Sequence, residues 1–189
     1  MGKIGQLILR WRQAPKNLDT SKLRYLSKQT DVGYHGSPFN FEQFSVAKIG
    51  TGEGCAKRGQ GIYLFRSKKF APFFANIRSK DAAPHIGSTA KLENPDPRIY
   101  TVNGLNNLNL YQVDNAKAIA RNQAEFEKAH PLIDGIELPN GEICIFPKAV
   151  ERLRISKKQT IEEFILENRD VEFRTWTKDK ERLRNLGLG

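Results

Sequence analysis

The first residues of the chain repeat apolar side chains at the spacing of a helix. Ile4, Leu7, Ile8 and Trp11 are three or four positions apart, which places them on one helical face. Pro15 ends this pattern because proline cannot continue a helix. A second short helix is predicted over 21–28. The sequence therefore predicts a helical N-terminal extension over residues 1–30.

From Val32 onward the pattern becomes that of strands. Short runs rich in β-branched and aromatic residues alternate with Gly, Asn and Pro. They predict strands at residues 32–35, 59–65, 97–102, 132–138 and 142–146. Asn140-Gly141 predicts a hairpin between the last two, because both residues accept positive φ at low cost.

Helices interrupt and follow these strands. Pro72 suits the first position of a helix in "PFFANIRSK", and Asp114 suits the cap of a longer helix over 114–130. Thr160 and Glu163 match a capping box at the start of "TIEEFILEN". The whole predicts an α+β fold, with a core over 31–156 and a helical, charged C-terminal extension over 157–189.

Composition limits the class of protein. The 189 residues are 39% hydrophobic and 10% aromatic, enough for a packed domain. No apolar run approaches the roughly 18 residues of a membrane helix. The N-terminus has neither a secretory cleavage site nor a myristoylation pattern, so we expect a cytoplasmic protein that does not bind membranes. Cys55 and Cys144 form no metal or disulfide pattern, and Cys144 is expected to pack as a small hydrophobe.

The charge is strongly positive and unevenly placed. The formal net charge is +10, and residues 54–80 contain seven basic side chains and no acidic one. Such an excess is explained either by a solvated face that keeps the protein soluble or by a polyanionic partner, nucleic acid or an acidic protein.

The glycine-dense segment "GTGEGCAKRGQG" (50–61) invites a phosphate-loop interpretation, which fails. Gly54 and Gly59 have the required spacing, but Gln60-Gly61 stands where Lys and Ser or Thr are needed. The segment is either a basic loop that folds over a ligand or a plain turn.

Three polar residues stand out against apolar strands: His35, Tyr63 and Glu142. Each has an ordinary structural explanation: a satisfied core histidine, a packing aromatic ring, a solvated residue after a turn. Their surroundings favour a site instead. Gly36 after His35 allows a ligand to approach the backbone, and a carboxylate at the rim of a buried strand is costly unless it is exposed or used.

The order of these motifs resembles ADP-ribosyltransferases of the His-Tyr-Glu class, which includes diphtheria toxin and poly(ADP-ribose) polymerases. The resemblance is strongest to small bacterial and phage members, including the transferase modules of phage polyvalent proteins. It covers about residues 32–155. The motifs that carry it are "HGS" (35–37), the Phe41–Phe44 segment, the glycine-rich loop 50–54, "GQGIY" (59–63), the Phe73-Phe74 pair and "EICIF" (142–146).

The resemblance implies a split β-sandwich with a cleft for NAD+, which is the substrate. It implies that His35 binds a ribose hydroxyl, that the Gly36 main chain pairs with the nicotinamide carboxamide, and that Tyr63 stacks on the nicotinamide ring. Glu142 would stabilise the oxocarbenium ion through the ribose 2′-hydroxyl. Ser37, Gly52, Gly61, Phe73 and Phe74 complete the implied NAD+ site, with Phe74 as the second stacking ring. No metal is implied.

The sequence departs from the family pattern at three places. The second stacking position is Phe74, where many relatives have Tyr. Ala71 occupies the position at which polymerase-type relatives have a serine that contacts the carboxamide. Asn140 precedes Glu142 by two residues where arginine-modifying relatives have a second Glu. Arginine therefore becomes a less favoured acceptor, and nothing indicates polymer synthesis.

The expected activity is mono-ADP-ribosyl transfer to a macromolecule by a toxin-like protein. Charge near Tyr63 slightly favours RNA or single-stranded DNA over protein as the acceptor, with a cognate antitoxin as a further partner. Two alternatives stay open: an NAD glycohydrolase, and a catalytically silent domain that binds nucleic acid or a partner. The candidate acceptor-binding residues are Lys57, Arg58, Arg66, Lys68, Lys69 and Asn140.

Overall fold

A computed structural model of the chain describes residues 23–26, 30–49, 59–80 and 96–173. The helix predicted over the first fifteen residues lies outside this part of the chain, as do Cys55 and most of the glycine-dense segment. The described residues form a mixed α+β fold, as the sequence predicted.

The described residues form eight strands, which belong to a single sheet. The order across the sheet is β1-β5-β6-β7-β3-β2-β4-β8, and all neighbours are antiparallel except β5 and β6. The strands are β1 (Arg24–Tyr25), β2 (Gly33–Ser37), β3 (Ile62–Phe65), β4 (Arg98–Asn103), β5 (Leu110–Gln112), β6 (Gly135–Glu137), β7 (Glu142–Ile145) and β8 (Arg154–Gln159).

In the described ranges, four α-helices pack against this sheet. They are α1 (Ala71–Lys80), α2 (Lys117–Arg121), α3 (Gln123–Ala129) and α4 (Ile161–Glu167). Single-turn 3₁₀ helices occupy Val46–Lys48, Lys68–Phe70 and Leu105–Asn107, and a six-residue 3₁₀ helix occupies Pro147–Arg152. Among the described residues, none of the helices has the length and apolar character needed to span a bilayer.

Side chains alternate between the two faces of the sheet, and each face has its own core. On the helix-covered face, Ile99 packs with residues of α1 and α4, and Cys144 packs with residues of α2 and α3. On the opposite face, Leu64, Tyr100 and Ile143 form a separate core that Phe41 and Phe44 cover from the side. The sheet is therefore buried on both faces near its middle, where β7, β3 and β2 lie side by side.

The helix predicted over residues 21–28 is wrong at its centre. Arg24 and Tyr25 form β1 and pair with Gln112 and Tyr111 of β5. The Leu26 amide donates to Leu110, and the tyrosine rings of positions 25 and 111 lie 5.4 Å apart. Strand pairing at the sheet edge has overridden a weak helical preference.

The hairpin between β6 and β7 is confirmed, but its turn is centred one residue earlier than predicted. The Gly141 amide donates to the Leu138 carbonyl over 2.9 Å, which makes Pro139 and Asn140 the central residues. Proline has a fixed negative φ, so a type I′ turn is impossible here. Gly141 follows with φ of 77° and supplies the left-handed residue.

The predicted helix over 114–130 is two helices. It breaks at Asn122, whose φ of −130° and ψ of 37° are not helical. Asn competes with helical hydrogen bonding, and this favours a break at such a position. The side chain that bonds the first turn is Asn115, whose Oδ1 accepts from the Lys117 amide, rather than Asp114.

The C-terminal boundary proposed at residue 156 falls inside β8, whose residues 154–159 pair with β4. Beyond it, Ile161, Phe164 and Ile165 of α4 are buried in the core of the helix-covered face. The capping box of Thr160 and Glu163 is confirmed, with both reciprocal bonds present. Residues 157–167 thus belong to the core rather than to an extension.

Candidate active site

The three candidate residues lie on three neighbouring strands. His35 is on β2, Tyr63 is on β3, and Glu142 begins β7; the sheet order places β3 between the other two. Tyr63 and Glu142 follow His35 by 28 and 107 positions in the sequence, yet all three lie in the same region of the sheet. This arrangement needs pairing among non-consecutive strands, so no local sequence signal could have established it.

Strands β2 and β3 separate almost at once. The β2–β3 ladder consists of one residue pair, Tyr34 with Phe65, whereas β2 pairs with β4 over five. Beyond the end of this ladder, the His35 ring provides the contact between the two strands: its Nδ1 lies 2.7 Å from the Tyr63 carbonyl oxygen. An imidazole thus bonds a main-chain group that would otherwise face the neighbouring strand.

The direction of main-chain groups at this gap follows from the ladder. The Arg66 amide donates to Gly141 on the β7 side, so the main-chain groups of Phe65 and Tyr63 face β2. Phe65 pairs with Tyr34, and the same alternation along β2 directs the N–H and C=O of Gly36 towards β3. A donor and an acceptor of Gly36 therefore point into the gap.

His35 has a defined tautomer. A carbonyl oxygen can only accept, so Nδ1 carries the proton and donates to Tyr63. Burial lowers the pKa of His35 below its usual value of 6.5, and the bond to Tyr63 opposes this in part. The ring is therefore neutral at pH 7, and its Nε2 presents a lone pair that accepts hydrogen bonds.

Aromatic rings surround His35 on the opposite face of the sheet. Phe44 meets its ring edge-on at 5.3 Å, and Phe41 and Tyr100 each lie 6.0 Å away. Phe41 stacks on Tyr100 at 4.2 Å. The Tyr100 hydroxyl donates to the Phe39 carbonyl and accepts from the Phe41 amide, and burial raises the pKa of this phenol to about 12. The segment after the His-Gly-Ser motif is thereby fixed against the imidazole.

Tyr63 and Glu142 project from the helix-covered face. Glu142 pairs with Phe65, and Tyr63 pairs with Cys144, so Tyr63 and Glu142 are diagonal neighbours. The Cα atoms of such neighbours are about 7–8 Å apart in an antiparallel pair. His35 starts from the other face, and only its ring reaches the gap. The structure thus brings Tyr63 close to both other residues, and it places His35 and Glu142 on opposite sides of the strand between them.

The start of β7 also fixes Glu142 locally. The Glu142 amide donates to Oδ1 of Asn140 over 3.1 Å, which ties the strand to its turn. The carboxylate is half-buried. Its negative charge, after burial itself, contributes to raising the pKa of Cys144 to about 12. The acceptor-binding role predicted for Asn140 therefore competes with a role in the turn.

The Tyr63 hydroxyl donates to the Gly59 carbonyl over 2.5 Å, and the ring packs against the core that contains Cys144. Phe74 of α1 stacks on Phe65 at 4.8 Å with the planes 17° apart, and Phe73 meets Phe74 edge-on. Phe65 lies two residues from Tyr63 on the same face, so both aromatic positions border one stretch of β3.

Three of the predicted NAD+-binding residues have structural roles as well. A Cβ added to Gly36 would lie 2.0 Å from the Ala71 carbonyl oxygen, so α1 fills the space that was expected to admit a ligand from that face. Gly61 is pressed against Ile145 in the same way, at 2.2 Å. Ser37 is buried, and its Oγ accepts from the Phe39 amide. Only the in-plane main-chain groups of Gly36 are directed into the gap.

Of the three basic residues proposed for an acceptor that the structure describes, Arg66 and Lys68 form bonds within the fold. Arg66 pairs with Glu137 over 2.9 Å, with side chains 18% and 14% exposed, and it donates to the Thr30 carbonyl. Lys68 donates to Asn168 over 2.6 Å, and Lys69 is exposed beside the Phe70 ring. Lys57, Arg58 and Gly52 lie outside the described residues. Arg66 thus has a role within the fold, and its acceptor-binding role stays a prediction.

Two residues of this region carry no distinguishing signal in the sequence. Tyr100 lies within the predicted strand 97–102, and Gln123 lies within the predicted helix 114–130. Gln123 bonds both main-chain groups of Gln60, at 2.5 and 2.8 Å, beside the exit of the glycine-dense segment. No local pattern marks a contact between residues 63 positions apart.

The site offers four chemical functions within one region of the sheet. They are a carboxylate, a neutral imidazole acceptor, a main-chain donor and acceptor, and aromatic surface. Comparison with protein-family models, with curated protein sequences and with solved structures finds no match to this chain.

Proposed function

We propose that this chain is an NAD+-dependent mono-ADP-ribosyltransferase that cleaves the bond between nicotinamide and ribose. Nicotinamide leaves with the electron pair of the C–N bond, and an acceptor oxygen or nitrogen forms a new bond to ribose C1′. The acceptor proton passes to the Glu142 carboxylate or to water. The reaction balances without an oxidant or a reductant.

The gap between β2 and β3 supports a site for the nicotinamide carboxamide. A carboxamide needs one acceptor for its N–H and one donor for its C=O, and Gly36 directs both kinds of group into the gap. The early separation of these strands is also what a split sheet with a cleft requires. The split β-sandwich is accordingly part of this proposal.

Aromatic spacing supports the placement of the nicotinamide ring. Tyr63 and Phe65 project from the same face about 7 Å apart along β3, and Phe74 is held against Phe65. Phe65 itself is buried beneath Phe70 and Phe74, so in this proposal the nicotinamide ring stacks on Tyr63, and the Phe65–Phe74 pair forms the neighbouring aromatic wall.

The two titratable residues then have separate tasks. His35 accepts a hydrogen bond from a ribose hydroxyl at Nε2, because Nδ1 is committed to Tyr63. Glu142 contacts the 2′-hydroxyl of the nicotinamide ribose, and its negative charge stabilises the positive charge that develops at C1′ as the bond breaks. This stabilisation is greater in the transition state than in the ground state, so it accelerates the chemical step.

The observation that carries the proposal is the His35–Tyr63 bond at the end of the β2–β3 ladder, on the strand next to Glu142. For the acceptor we propose a macromolecule, with nucleic acid ahead of protein. Of the described basic residues near Tyr63, Lys69 supports this choice best, because Arg66 and Lys68 are bonded within the fold.

The test uses NAD+ labelled separately in nicotinamide and in adenine. Wild type should release nicotinamide, and Glu142→Gln should lower the rate by roughly 10²–10³-fold, the usual cost of losing one transition-state charge interaction. Glu125→Gln is the matched control, since Glu125 is an exposed acid on α3. Absence of nicotinamide release from the wild type would contradict the proposed activity. It would favour the alternative of a catalytically silent domain that binds nucleic acid or a partner.

The acceptor is identified by incubating the protein with cell lysate and NAD+ labelled in adenine, and by measuring which macromolecule becomes labelled. Transfer that is sensitive to nuclease supports nucleic acid, and transfer that is sensitive to protease supports protein. Free ADP-ribose formed at the full rate without any macromolecule would support the glycohydrolase and contradict group transfer.

A further inference from the structure

Gln123 forms a reciprocal pair of hydrogen bonds with the main chain of Gln60. The Gln60 amide donates to Gln123 Oε1 over 2.5 Å, and Gln123 Nε2 donates to the Gln60 carbonyl over 2.8 Å. The same Nε2 donates to Glu127 Oε1 over 2.7 Å. Because a carboxylate only accepts, Glu127 fixes which end of the amide faces each group of Gln60.

The residues on either side of Gln60 are also tightly held. Gly59 has φ of 114°, and a Cβ there would lie 2.7 Å from Gln123 Oε1. Gly61 is pressed against Ile145 of β7. Residues 59–61, which we call the entry segment of β3, are thus clamped between α3 on one side and β7 on the other.

The entry segment is joined directly to the candidate active site. The Gly59 carbonyl accepts from the Tyr63 hydroxyl over 2.5 Å, so the position of Gly59 sets the position of the phenol. A continuous chain of hydrogen bonds therefore runs from Glu127 through Gln123 and the entry segment to Tyr63. It begins on a helix that contributes no other residue to the site.

We propose that Gln123 is a positioning residue that holds the Tyr63 ring in place for the nicotinamide of NAD+ by fixing the entry segment of β3. This inference rests on the proposed function and adds a residue that lies on neither β2, β3 nor β7. Gln123 itself does not contact the substrate; it acts through Gly59 and the phenol.

The test compares Gln123→Ala with Gln159→Ala, a matched control on the edge strand β8, whose side-chain amide bonds Glu167. We expect Gln123→Ala to raise KM for NAD+ by about tenfold with kcat changed less than about threefold, because a looser stacking ring weakens ground-state and transition-state binding alike. Gln159→Ala should leave KM unchanged. An unchanged KM in a folded Gln123→Ala protein would overturn the inference while leaving the proposed function intact.

A double-mutant cycle distinguishes positioning from a general loss of stability. If Gln123 acts through the hydroxyl of Tyr63, Gln123→Ala should raise KM by less than about threefold in a Tyr63→Phe background, because the link is already broken. Effects of the two substitutions that multiply fully would contradict the inference.

Hydrogen exchange provides a readout that does not depend on activity. The Gln60 amide should exchange at least about tenfold faster in Gln123→Ala than in wild type or Gln159→Ala, because its acceptor is removed. Unchanged exchange overturns the inference. A wild type that releases no nicotinamide overturns the proposed function, and with it the role for Tyr63 in binding, so the two failures are told apart.

Discussion

At the scale of single residues, the two ring nitrogens of His35 have different roles: Nδ1 bonds the main chain of Tyr63, and Nε2 is proposed to bind the substrate. Its Nδ1 replaces a strand partner for Tyr63, while Phe41, Phe44 and Tyr100 remove much of its ring from water. The ordinary interpretation, a satisfied core histidine, describes this first nitrogen well. The second nitrogen, Nε2, is the one that the proposed function requires.

The lowered pKa of His35 predicts a pH dependence of stability. The unfolded chain takes up a proton near pH 6.5, whereas the folded chain does so only at lower pH. The contribution of His35 to the free energy of unfolding should therefore be constant above about pH 6.5. It should fall below that pH by at most about 1.4 kcal/mol per pH unit until the folded-state pKa is reached.

Denaturant titrations between pH 4 and 8 measure this difference. His35→Asn keeps an N–H near the Tyr63 carbonyl but does not titrate, so its pH slope should be shallower than that of the wild type. His130→Asn, which retains the His35–Tyr63 bond, is the matched control for removing a histidine. Equal slopes for the wild type and His35→Asn would contradict the assignment of a buried neutral imidazole.

Tyr100 gives a second prediction at this scale. Tyr100→Phe removes a fully buried hydroxyl and leaves the Phe39 carbonyl and the Phe41 amide without that partner. We expect a loss of about 1–3 kcal/mol in the free energy of unfolding, measured in urea. Tyr111→Phe, at a partly exposed ring on β5, should cost less than about 0.5 kcal/mol; equal costs would contradict the bridging role.

At the scale of elements, the parts visible in the sequence are those set by local chemistry. The capping box of α4 and the strand at "IYLF" need only neighbouring residues, and both are present. β1 depends on pairing with β5, which is distant in sequence, so no local signal marks it. Asparagine at position 122 favours a break, but this preference is too weak on its own to predict where the helical pattern over 114–130 is interrupted.

Arg66 provides the prediction for this scale, because it joins β3 to β6. Arg66→Ala leaves Glu137 partly buried without its cation, so we expect a loss of about 2–3 kcal/mol in the free energy of unfolding. Lys69→Ala, at an exposed neighbour, should change it by less than about 0.5 kcal/mol. A folded, fully stable Arg66→Ala protein that has lost only affinity for an acceptor would contradict the structural role and support the predicted binding role.

At the scale of the whole molecule, the sheet brings the candidate site residues together, and β8 and α4 complete the sheet and its core. Pairing of β8 with β4 and burial of Phe164 and Ile165 make residues 157–167 part of one core. A chain ending at residue 156 should lose cooperative thermal unfolding and expose apolar surface to a hydrophobic dye. A chain ending at residue 173 keeps all these contacts; equal cooperativity for both chains would contradict the single core.

The candidate site was predictable as a set of residues but not as a geometry. Gly36, Tyr63 and Glu142 have distinctive neighbours in the sequence, and they recur together in the sheet. The engagement of Arg66 with Glu137, the filling of space beside Gly36 by α1, and the clamp at Gln60 all depend on packing between distant segments. Such contacts carry no composition signal.

The central claim is that groups from β2, β3 and β7 act on one nicotinamide riboside. It is tested most directly by measuring NAD+ affinity and single-turnover nicotinamide release in wild type and Glu142→Gln. We expect affinity for NAD+ to stay within about threefold while release falls at least about 100-fold, because the carboxylate acts mainly in the transition state. Release at the wild-type rate from Glu142→Gln, or no binding of NAD+ by the wild type, would contradict it.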